Sequence, residues 1–159
     1  MALSDSTAAQ TAPSEVSLIY LVGRVNQGIR REMRLRLEPW QLSVPEFTAL
    51  SILRRRPALS NAQLSRRTMV TPQTMIEILG GLERRGLVRR RVDPDHGRIL
   101  RAELTEEGAR VLAEAEPAIE ALQDEILDGI PDEQRAAATE VMLHAMQRLR
   151  FGLSAPVGG

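Results

Sequence analysis

A chain of 159 residues, 43% of them hydrophobic, is long enough for one domain with a core of its own. It has no cysteine and only two histidines, which excludes structural disulfides, thiolate metal sites and a thiol redox switch, and we expect neither a metal nor another cofactor. The formal net charge is zero, and without a run of 18 apolar residues we expect no membrane-spanning segment.

Residues 1–13 are rich in Ser, Thr and Ala and carry no basic cluster. We therefore expect a disordered tail there rather than a secretory signal. From residue 14 to residue 37 the apolar side chains fall at the spacing of a helix with one buried stripe. That stripe consists of Leu18, Val22, Val25, Ile29, Met33 and Leu37.

Two residues of this first helix, Tyr20 and Arg24, lie off the apolar stripe and one turn apart. They form either the wall of a ligand pocket, where the ring stacks on a ligand and the guanidinium binds its carboxylate, or a solvated flank of the helix. The helix ends at Glu38-Pro39, because the residue before a proline is pushed out of helical geometry. Trp40, the only tryptophan, follows as a hydrophobic plug between helices, a ligand contact or both.

The motif Ser43-Val44-Pro45-Glu46 is a capping box, in which the serine hydroxyl accepts from the third helical amide and the glutamate reaches back to the serine amide. A second helix therefore begins there. It ends at Arg54-Arg55-Arg56-Pro57, whose three arginines either touch phosphate or are solvated. Its inward residues are expected to be Phe47, Leu50 and Leu53.

Two short helices separated by a tight turn come next. Ser60-Asn61-Ala62-Gln63 is a second capping box, and it opens a helix of two turns or so. Thr71 caps the following helix, and Pro72 occupies its first position, where the missing amide costs no hydrogen bond. A short helix, a turn of three or four residues and a second helix form the helix-turn-helix outline.

The second of these helices has one apolar and one largely polar side. The apolar side is predicted to contain Met75, Ile78, Leu79 and Leu82. On the other side, Gln73 is suited to hydrogen-bond to the N6 and N7 edge of adenine. Thr74 is suited to bind a phosphate or a base, and Ile76 is suited to contact a thymine methyl group. Glu77 would be repelled by phosphates unless it accepts from a cytosine amine or pairs with an arginine.

Three glycines mark the end of this helix. Gly80 and Gly81 each cost about 1 kcal/mol relative to alanine within a helix. They permit the close approach either of DNA or of a neighbouring helix. Gly86 is expected to take the left-handed conformation that ends a helix.

Residues 87–92 and 98–104 are predicted to be strands joined by the turn Asp93-Pro94-Asp95-His96-Gly97. Asp93 and Asp95 are expected to shape this turn and to orient Arg98 through a salt bridge rather than to bind a metal. The predicted buried face of the second strand consists of Leu100, Ala102 and Leu104. The arginines that crowd around the turn are Arg89, Arg90, Arg91 and Arg98.

Two helices complete the chain. Thr105 is the predicted cap of the first, which runs to about residue 128, with Pro117 expected to kink it. Gly129-Ile130-Pro131 breaks the chain before a last helix over residues 132–151. Both helices are apolar on more than one side, so they need a partner, and a second copy of the chain is the economical choice.

The charge is sorted along the chain although its sum is zero. Residues 60–101 carry nine arginines against four acidic residues, whereas residues 102–140 carry two arginines against twelve. The first segment carries net positive charge and should attract an anion, whereas the second carries net negative charge and should be repelled by one. All 21 basic residues are arginines, the side chain that binds phosphate and guanine in a bidentate manner.

This order of elements closely resembles the multiple antibiotic resistance regulator (MarR) family. The resemblance covers about residues 15–150, and its most specific part runs from the predicted turn into the motif Leu104-Thr105-Glu106-Glu107-Gly108. It implies a mainly α fold with a small β-wing, a winged helix-turn-helix with N- and C-terminal dimerisation helices. It also implies that Arg98 enters the minor groove, held by a neighbouring acid. His96 stands where many members carry that acid, so Asp93 or Asp95 is expected to replace it.

From the resemblance we expect a homodimeric, sequence-specific transcriptional regulator of the cytoplasm, a repressor released from a pseudo-palindromic operator in double-stranded DNA by a small, often aromatic or anionic, ligand. The sequence has no motif of an enzyme. The alternative is a winged-helix interaction module that does not bind DNA. Residues 14–37 and 105–152 would form the dimerisation region, 38–104 the DNA-binding region and 153–159 a flexible tail. The residues expected to contact DNA are Ser60, Asn61, Thr71, Gln73, Thr74, Ile76, Glu77, Arg89, Arg91, His96 and Arg98. Those expected to contact a ligand are Tyr20, Arg24, Trp40 and Phe47.

Overall fold

The computed structural model describes residues 16–149, and these form a mainly helical winged helix-turn-helix with a small antiparallel sheet, as predicted. The tails at 1–13 and 153–159, Ser14 and Phe151 lie outside the described residues. The helices are α1 (Leu18–Leu37), α2 (Val44–Arg55), α3 (Asn61–Thr68), α4 (Pro72–Arg84), α5 (Glu106–Leu127) and α6 (Asp132–Arg148), with a 3-10 turn at Glu38–Trp40. The strands are β1 (Leu59–Ser60), β2 (Val88–Val92) and β3 (Leu100–Leu104).

The helix starts predicted from local motifs are confirmed. At α2 the Glu46 amide donates to the Ser43 hydroxyl at 3.3 Å, and the Ser43 amide donates to the Glu46 carboxylate at 2.8 Å. At α3 Ser60 and Gln63 exchange the same two bonds, at 3.3 and 3.0 Å. Thr71 caps α4 by accepting from the Thr74 amide at 3.1 Å. These caps satisfy amides that a helix leaves unpaired at its first turn.

The sheet contains a strand that the sequence analysis missed. Its order is β1-β3-β2, and both pairings are antiparallel, with Leu59 opposite Ala102 and Val92 opposite Leu100. β1 has only two residues, so no alternation could reveal it. The predicted buried face of β3 holds only at its centre, because Ala102 is buried whereas Leu100, nearer the turn, is exposed.

The junction between the wing and α5 explains one glycine. Thr105 caps α5 as predicted, since its hydroxyl accepts from the Gly108 amide at 3.0 Å. The same hydroxyl donates to the Gly86 carbonyl at 2.6 Å, and the Thr105 amide donates to the Leu87 carbonyl at 3.2 Å. A Cβ on Gly108 would lie 1.9 Å from the Leu87 carbonyl oxygen, so this close approach requires glycine. Gly86 has a φ of +70°, the predicted left-handed end of α4.

Helix α1 is buried less than its apolar stripe predicted. Leu37 is buried, and Ile29 and Met33 are half-buried. Toward the N-terminus, however, Leu18, Val22 and Val25 are exposed. The expectation of a stripe buried along its whole length is therefore wrong for the single chain.

The described residues divide into two compact units, 16–118 and 119–149. In the described part of the second unit, Arg135 donates to the carbonyls of Ile130 and Leu127, at 2.8 and 2.7 Å, and so closes the turn between α5 and α6. Val141 and Met142 of α6 are exposed. Among residues 16–149 no helix is long and apolar enough to cross a membrane.

Candidate nucleic-acid interface

The helix-turn-helix is closed by a turn of three residues between α3 and α4. Met69 adopts a left-handed conformation with φ of +56°, and its amide donates to the Ser65 carbonyl. Asn61 at the start of α3 donates through Nδ2 to the Pro72 carbonyl at 3.0 Å, which ties the start of α4 to α3. Ser60 and Asn61, both predicted to contact DNA, thus also hold the motif together, and Asn61 Oδ1 has no hydrogen-bond partner within residues 16–149.

Helix α4 has the two sides that its sequence predicted. Met75, Leu79 and Leu82 are buried and Ile78 is half-buried. The other side is exposed and carries the predicted reading residues Gln73, Thr74, Ile76 and Glu77. The hydroxyls of Thr71 and Thr74 lie 2.8 Å apart and hydrogen-bond to each other. The helix therefore presents a polar surface with one apolar side chain, which suits contact with base edges in a major groove.

The two glycines of α4 do not make room for a neighbouring helix. A Cβ on Gly80 would lie 3.5 Å from Arg84 Nη1, and one on Gly81 would lie 3.8 Å from Arg84 Nη2. Both are ordinary van der Waals distances, so no packing among the described residues requires a glycine at either position. Packing against another helix within the described residues therefore does not account for these glycines, and the close approach of DNA stays a prediction.

The arginines of the wing fall into two classes. Arg89 donates to Glu103 through Nε and Nη2, at 3.1 and 3.0 Å, and Arg90 donates through Nε to Glu83 of α4 at 2.9 Å. The hydrogen bond from Arg90 also lowers the pKa of Glu83 below its ordinary value. By contrast, Arg91 and Arg98 are exposed and make no hydrogen bond or ion pair within the described part of the chain. Their guanidinium groups are the ones available to an external anion.

The acid of the wing turn is paired differently from the prediction. Asp93 and Asp95 were expected to orient Arg98 through a salt bridge, but neither is paired with Arg98 within residues 16–149. Asp93 forms its ion pair with Arg101 instead. Arg101 lies on the face of β3 that Asp93 approaches, a fact that depends on the register of the hairpin rather than on spacing. The other expectation for Asp93 is confirmed, because its Oδ1 shapes the turn by accepting from the Asp95 and His96 amides at 2.8 and 3.2 Å.

The electrostatics of Asp93 follow from these contacts. Its side chain is only 2% exposed, and the hydrogen bond from the Asp95 amide, followed by that from Arg101, lowers the pKa of its carboxyl. The exposed His96 ring lies near it, with Nδ1 3.9 Å from Asp93 Oδ1. The turn is thus built around one buried carboxylate.

The four residues predicted to contact a ligand occupy different environments. Tyr20 and Arg24 are exposed on α1, and Phe47 is buried in the inward face of α2. Trp40 is half-buried, and its Nε1 donates to Glu114 of α5 at 3.4 Å. No hydrogen bond or ion pair among residues 16–149 joins the first two to the others.

Two further arginines have roles that the sequence analysis did not assign. Arg85 donates to the carbonyls of Trp40 and Gln41, at 2.9 Å each, and so fixes the end of α4 against the 3-10 turn. Arg54, from the run left open between phosphate contact and solvation, pairs with Glu116 of α5. No local signal marks these contacts, because their partners lie 44 to 62 residues away in sequence.

Comparisons with known proteins agree on one family. A sequence model of the MarR family matches residues 40–99. The HTH-type transcriptional repressor Rv2887 of Mycobacterium tuberculosis is 38% identical over 113 residues, which cover 71% of this chain and 81% of that protein.

Solved structures give the same result. The M. tuberculosis MarR family protein Rv2887 in complex with p-aminosalicylic acid superposes with a TM-score of 0.67 at 32% identity, covering 82% of this chain and 98% of that one. The fold is also shared by the transcriptional repressor CouR bound to a 23-mer DNA duplex, with a TM-score of 0.71 at 22% identity, covering 82% of this chain and 92% of that one.

Proposed function

The chain belongs to the MarR family of transcriptional regulators, and we propose that it works as a homodimeric repressor that binds a pseudo-palindromic operator in double-stranded DNA. Its relative Rv2887 is named a transcriptional repressor, and its structural neighbour CouR was crystallised on a DNA duplex. As a DNA-binding regulator it would act in the cytoplasm.

One observation carries the proposal: two arginines without partners within the described residues, Arg91 and Arg98, stand on a wing that directly follows α4. Phosphate and groove contacts need guanidinium groups that are not already neutralised. Gln73, Thr74 and Ile76 of α4 would read bases in the major groove while the wing contacts the flanking backbone or the minor groove. A module that only binds proteins would not need this set.

The remaining predicted contacts keep subordinate roles in this proposal. Arg89 is engaged with Glu103 in an exposed pair, so it would reach DNA only by exchanging that carboxylate for a phosphate. Thr71 and Ser60 would support the interface through their caps, and His96 would lie beside Arg98 at the turn. Glu77 would select cytosine, whose N4 amine is a donor in the major groove.

The effector is proposed to be a small aromatic anion. The solved structure of Rv2887 holds p-aminosalicylic acid, an aromatic carboxylate. In this chain Arg24 offers an exposed cation and Trp40 a half-buried ring, with Tyr20 and Phe47 as further candidates. A ligand would release DNA if it bound more tightly to a dimer whose two recognition helices are not spaced by one turn of duplex, about 34 Å.

The test begins with sequencing of genomic fragments that the pure protein retains, since an operator would emerge as a sequence with two related half-sites. Affinity for that duplex is then measured by fluorescence anisotropy over a salt series. Arg98→Ala should weaken binding to most sequences and reduce the salt slope by about 1, whereas Gln73→Ala should change the preferred base at one position.

Arg110→Ala is the matched control for the loss of an exposed arginine. Arg110 lies on α5 and is paired with Glu107 and Glu114, so its removal should leave the salt slope unchanged. If neither Arg98→Ala nor Gln73→Ala has an effect, the proposed reading surface is wrong. If the wild-type protein retains no fragment even at low salt, the alternative of an interaction module is favoured.

A further inference from the structure

The buried carboxylate of Asp93, together with its partner Arg101, connects the wing to the helix-turn-helix. Asp93 is the one buried charged side chain within residues 16–149. Its partner Arg101 also donates through Nη1 to the Ala58 carbonyl at 3.0 Å. Ala58 precedes β1, and Ser60 of β1, which caps α3, lies opposite Arg101 in the sheet. Arg101 thus contacts the loop between β2 and β3 on one side and the start of the helix-turn-helix on the other.

The position of Arg101 would be unfavourable without Asp93. Arg101 lies directly opposite Arg91 in the antiparallel pair β2–β3. Like charges opposite each other across two strands are destabilising. Because Asp93 neutralises Arg101, Arg91 can keep its charge exposed at the surface. Arg101 itself is not available to a phosphate, although it belongs to the arginine-rich segment.

Asp93 also organises the loop that carries Arg98. This wing loop, residues 93–99, is closed by the Asp93 amide donating to the Ile99 carbonyl at 2.7 Å and the Ile99 amide donating to the His96 carbonyl at 2.8 Å. Two more amides of the loop donate to the Asp93 carboxylate. Arg98 has no partner of its own within the described residues, so its place is set by the backbone of this loop.

We propose that Arg101 is a positioning residue for DNA recognition: through Asp93 and the Ala58 carbonyl it holds the wing loop at a fixed place relative to α3, so that Arg98 reaches DNA together with the recognition helix α4. The inference rests on the proposed function. Asp93 was expected to orient Arg98 directly through a salt bridge. In this proposal Asp93 acts indirectly instead, because its pair with Arg101 holds the loop that carries Arg98.

A double-mutant cycle tests this role. Wild type, Arg101→Met, Arg98→Ala and the double variant are compared by anisotropy on a duplex that the wild type binds, over a salt series. Arg101→Met should weaken binding about tenfold and reduce the salt slope by about 1, as Arg98→Ala does. The double variant should bind no more weakly than Arg101→Met alone. In Arg101→Met the side chain of Arg98 would already have lost its contact with DNA, so its removal should cost no further affinity.

Two more variants separate positioning from stability. Arg90→Met removes another arginine–carboxylate pair of the wing, that with Glu83, and should leave the salt slope unchanged. Asp93→Asn keeps an oxygen that accepts from the Asp95 and His96 amides but loses the ion pair, so it should reproduce the effect of Arg101→Met. All measurements are made well below the melting temperatures of the variants, which circular dichroism provides.

The outcomes are distinct. Losses that add in the double variant, or an unchanged salt slope in Arg101→Met, overturn the positioning role while leaving the proposed function intact. Failure of the wild type to bind any duplex removes the proposed function, and the role in DNA recognition with it. Hydrogen exchange of the Asp95 and His96 amides supplies a readout without DNA: faster exchange in Arg101→Met supports the holding of the loop, and unchanged exchange contradicts it.

Discussion

Two regions differ in how far a single chain buries their apolar side chains. These are the winged helix-turn-helix region, residues 38–104, and the N-terminal half of α1, residues 18–27. The first has its own core, with Leu50, Leu64 and Met75 fully buried, and its helix starts are capped by its own side chains. The second leaves Leu18, Tyr20 and Ile19 exposed, the last to 85%. One region is complete within a single chain, and the other is not.

The difference favours an interaction surface on the N-terminal half of α1. An exposed apolar stripe along a helix is costly in water and is typical of an interaction surface. In the second compact unit, α6 likewise exposes Val141 and Met142. We propose that a second copy of the chain covers the apolar stripe of α1. Association would then bury apolar side chains of the terminal helices, whereas the surface proposed to read DNA is already formed in each copy.

The largest expected effect comes from placing charge on this stripe. Val22→Asp with Val25→Asp changes two side chains that are exposed in the single chain, so each chain should still fold. If a second copy buries them, two unpaired carboxylates at the interface should weaken self-association about 1,000-fold. Sedimentation velocity over a concentration series measures the association, and affinity for a duplex with two half-sites should fall in parallel.

The control for that variant uses the same helix. Gln27→Asp adds a carboxylate at an exposed position roughly opposite Val22 and Val25 on the helical wheel. It should leave self-association close to that of the wild type. A double variant that still associates as tightly as the wild type would show that the stripe is covered by something other than a second copy.

The next largest effect concerns the complete region. Gly108→Ala puts a Cβ against the Leu87 carbonyl at the junction of the wing and α5, and should lower the free energy of unfolding by about 2 kcal/mol. Gly23→Ala in α1 is the matched substitution, with nothing within 4 Å of the new Cβ, and should raise it by about 0.5 to 1 kcal/mol. Urea denaturation compares the two. A Gly108→Ala variant as stable as the wild type would show that the junction can open.

The same contrast between local and distant contacts explains how far the sequence could be read. The two capping boxes and the Thr71 cap involve residues three apart, so the residue types alone predicted them. The partners of Asp93 could not be predicted that way. Its ion pair depends on which residues of two strands face each other, and both Arg98 and Arg101 lie within reach along the chain.

The burial of side chains was likewise predicted correctly for some helices and not for others. Periodicity correctly predicted the apolar stripe of α4, because the rest of the chain covers it. It also correctly located the apolar positions of α1, but not that a single chain leaves Val22 and Val25 exposed. A pattern of apolar residues specifies a face that prefers to be buried, and only the structure shows whether the same chain buries it. The predicted contacts with DNA and ligand remain predictions, since they involve molecules outside the chain.

The smallest effect distinguishes a free arginine from a paired one inside the winged region. Arg91 and Arg90 are neighbours on β2, but Arg91 makes no ion pair within residues 16–149 whereas Arg90 is paired with Glu83. Arg91→Met should therefore lower the DNA salt slope by about 1 without changing the melting temperature. Arg90→Met should leave the salt slope unchanged and lower the melting temperature. The decrease should be only about 2 °C, because a half-exposed ion pair contributes little to stability.

Acid should reduce the difference in melting temperature between wild type and Arg90→Met. The pKa of Glu83 is lowered in the folded protein by the hydrogen bond from Arg90, so the pair stabilises the fold above the ordinary glutamate pKa of about 4.3. As pH falls below that value, the unfolded chain takes up the proton first, and the contribution is lost once Glu83 is protonated in the folded state too. Thermal melts at pH 7, 5 and 3.5 should show an equal difference at the first two and a smaller one at the third; a difference that persists in acid would mean that Arg90 stabilises the fold through packing of its aliphatic stem rather than through its charge.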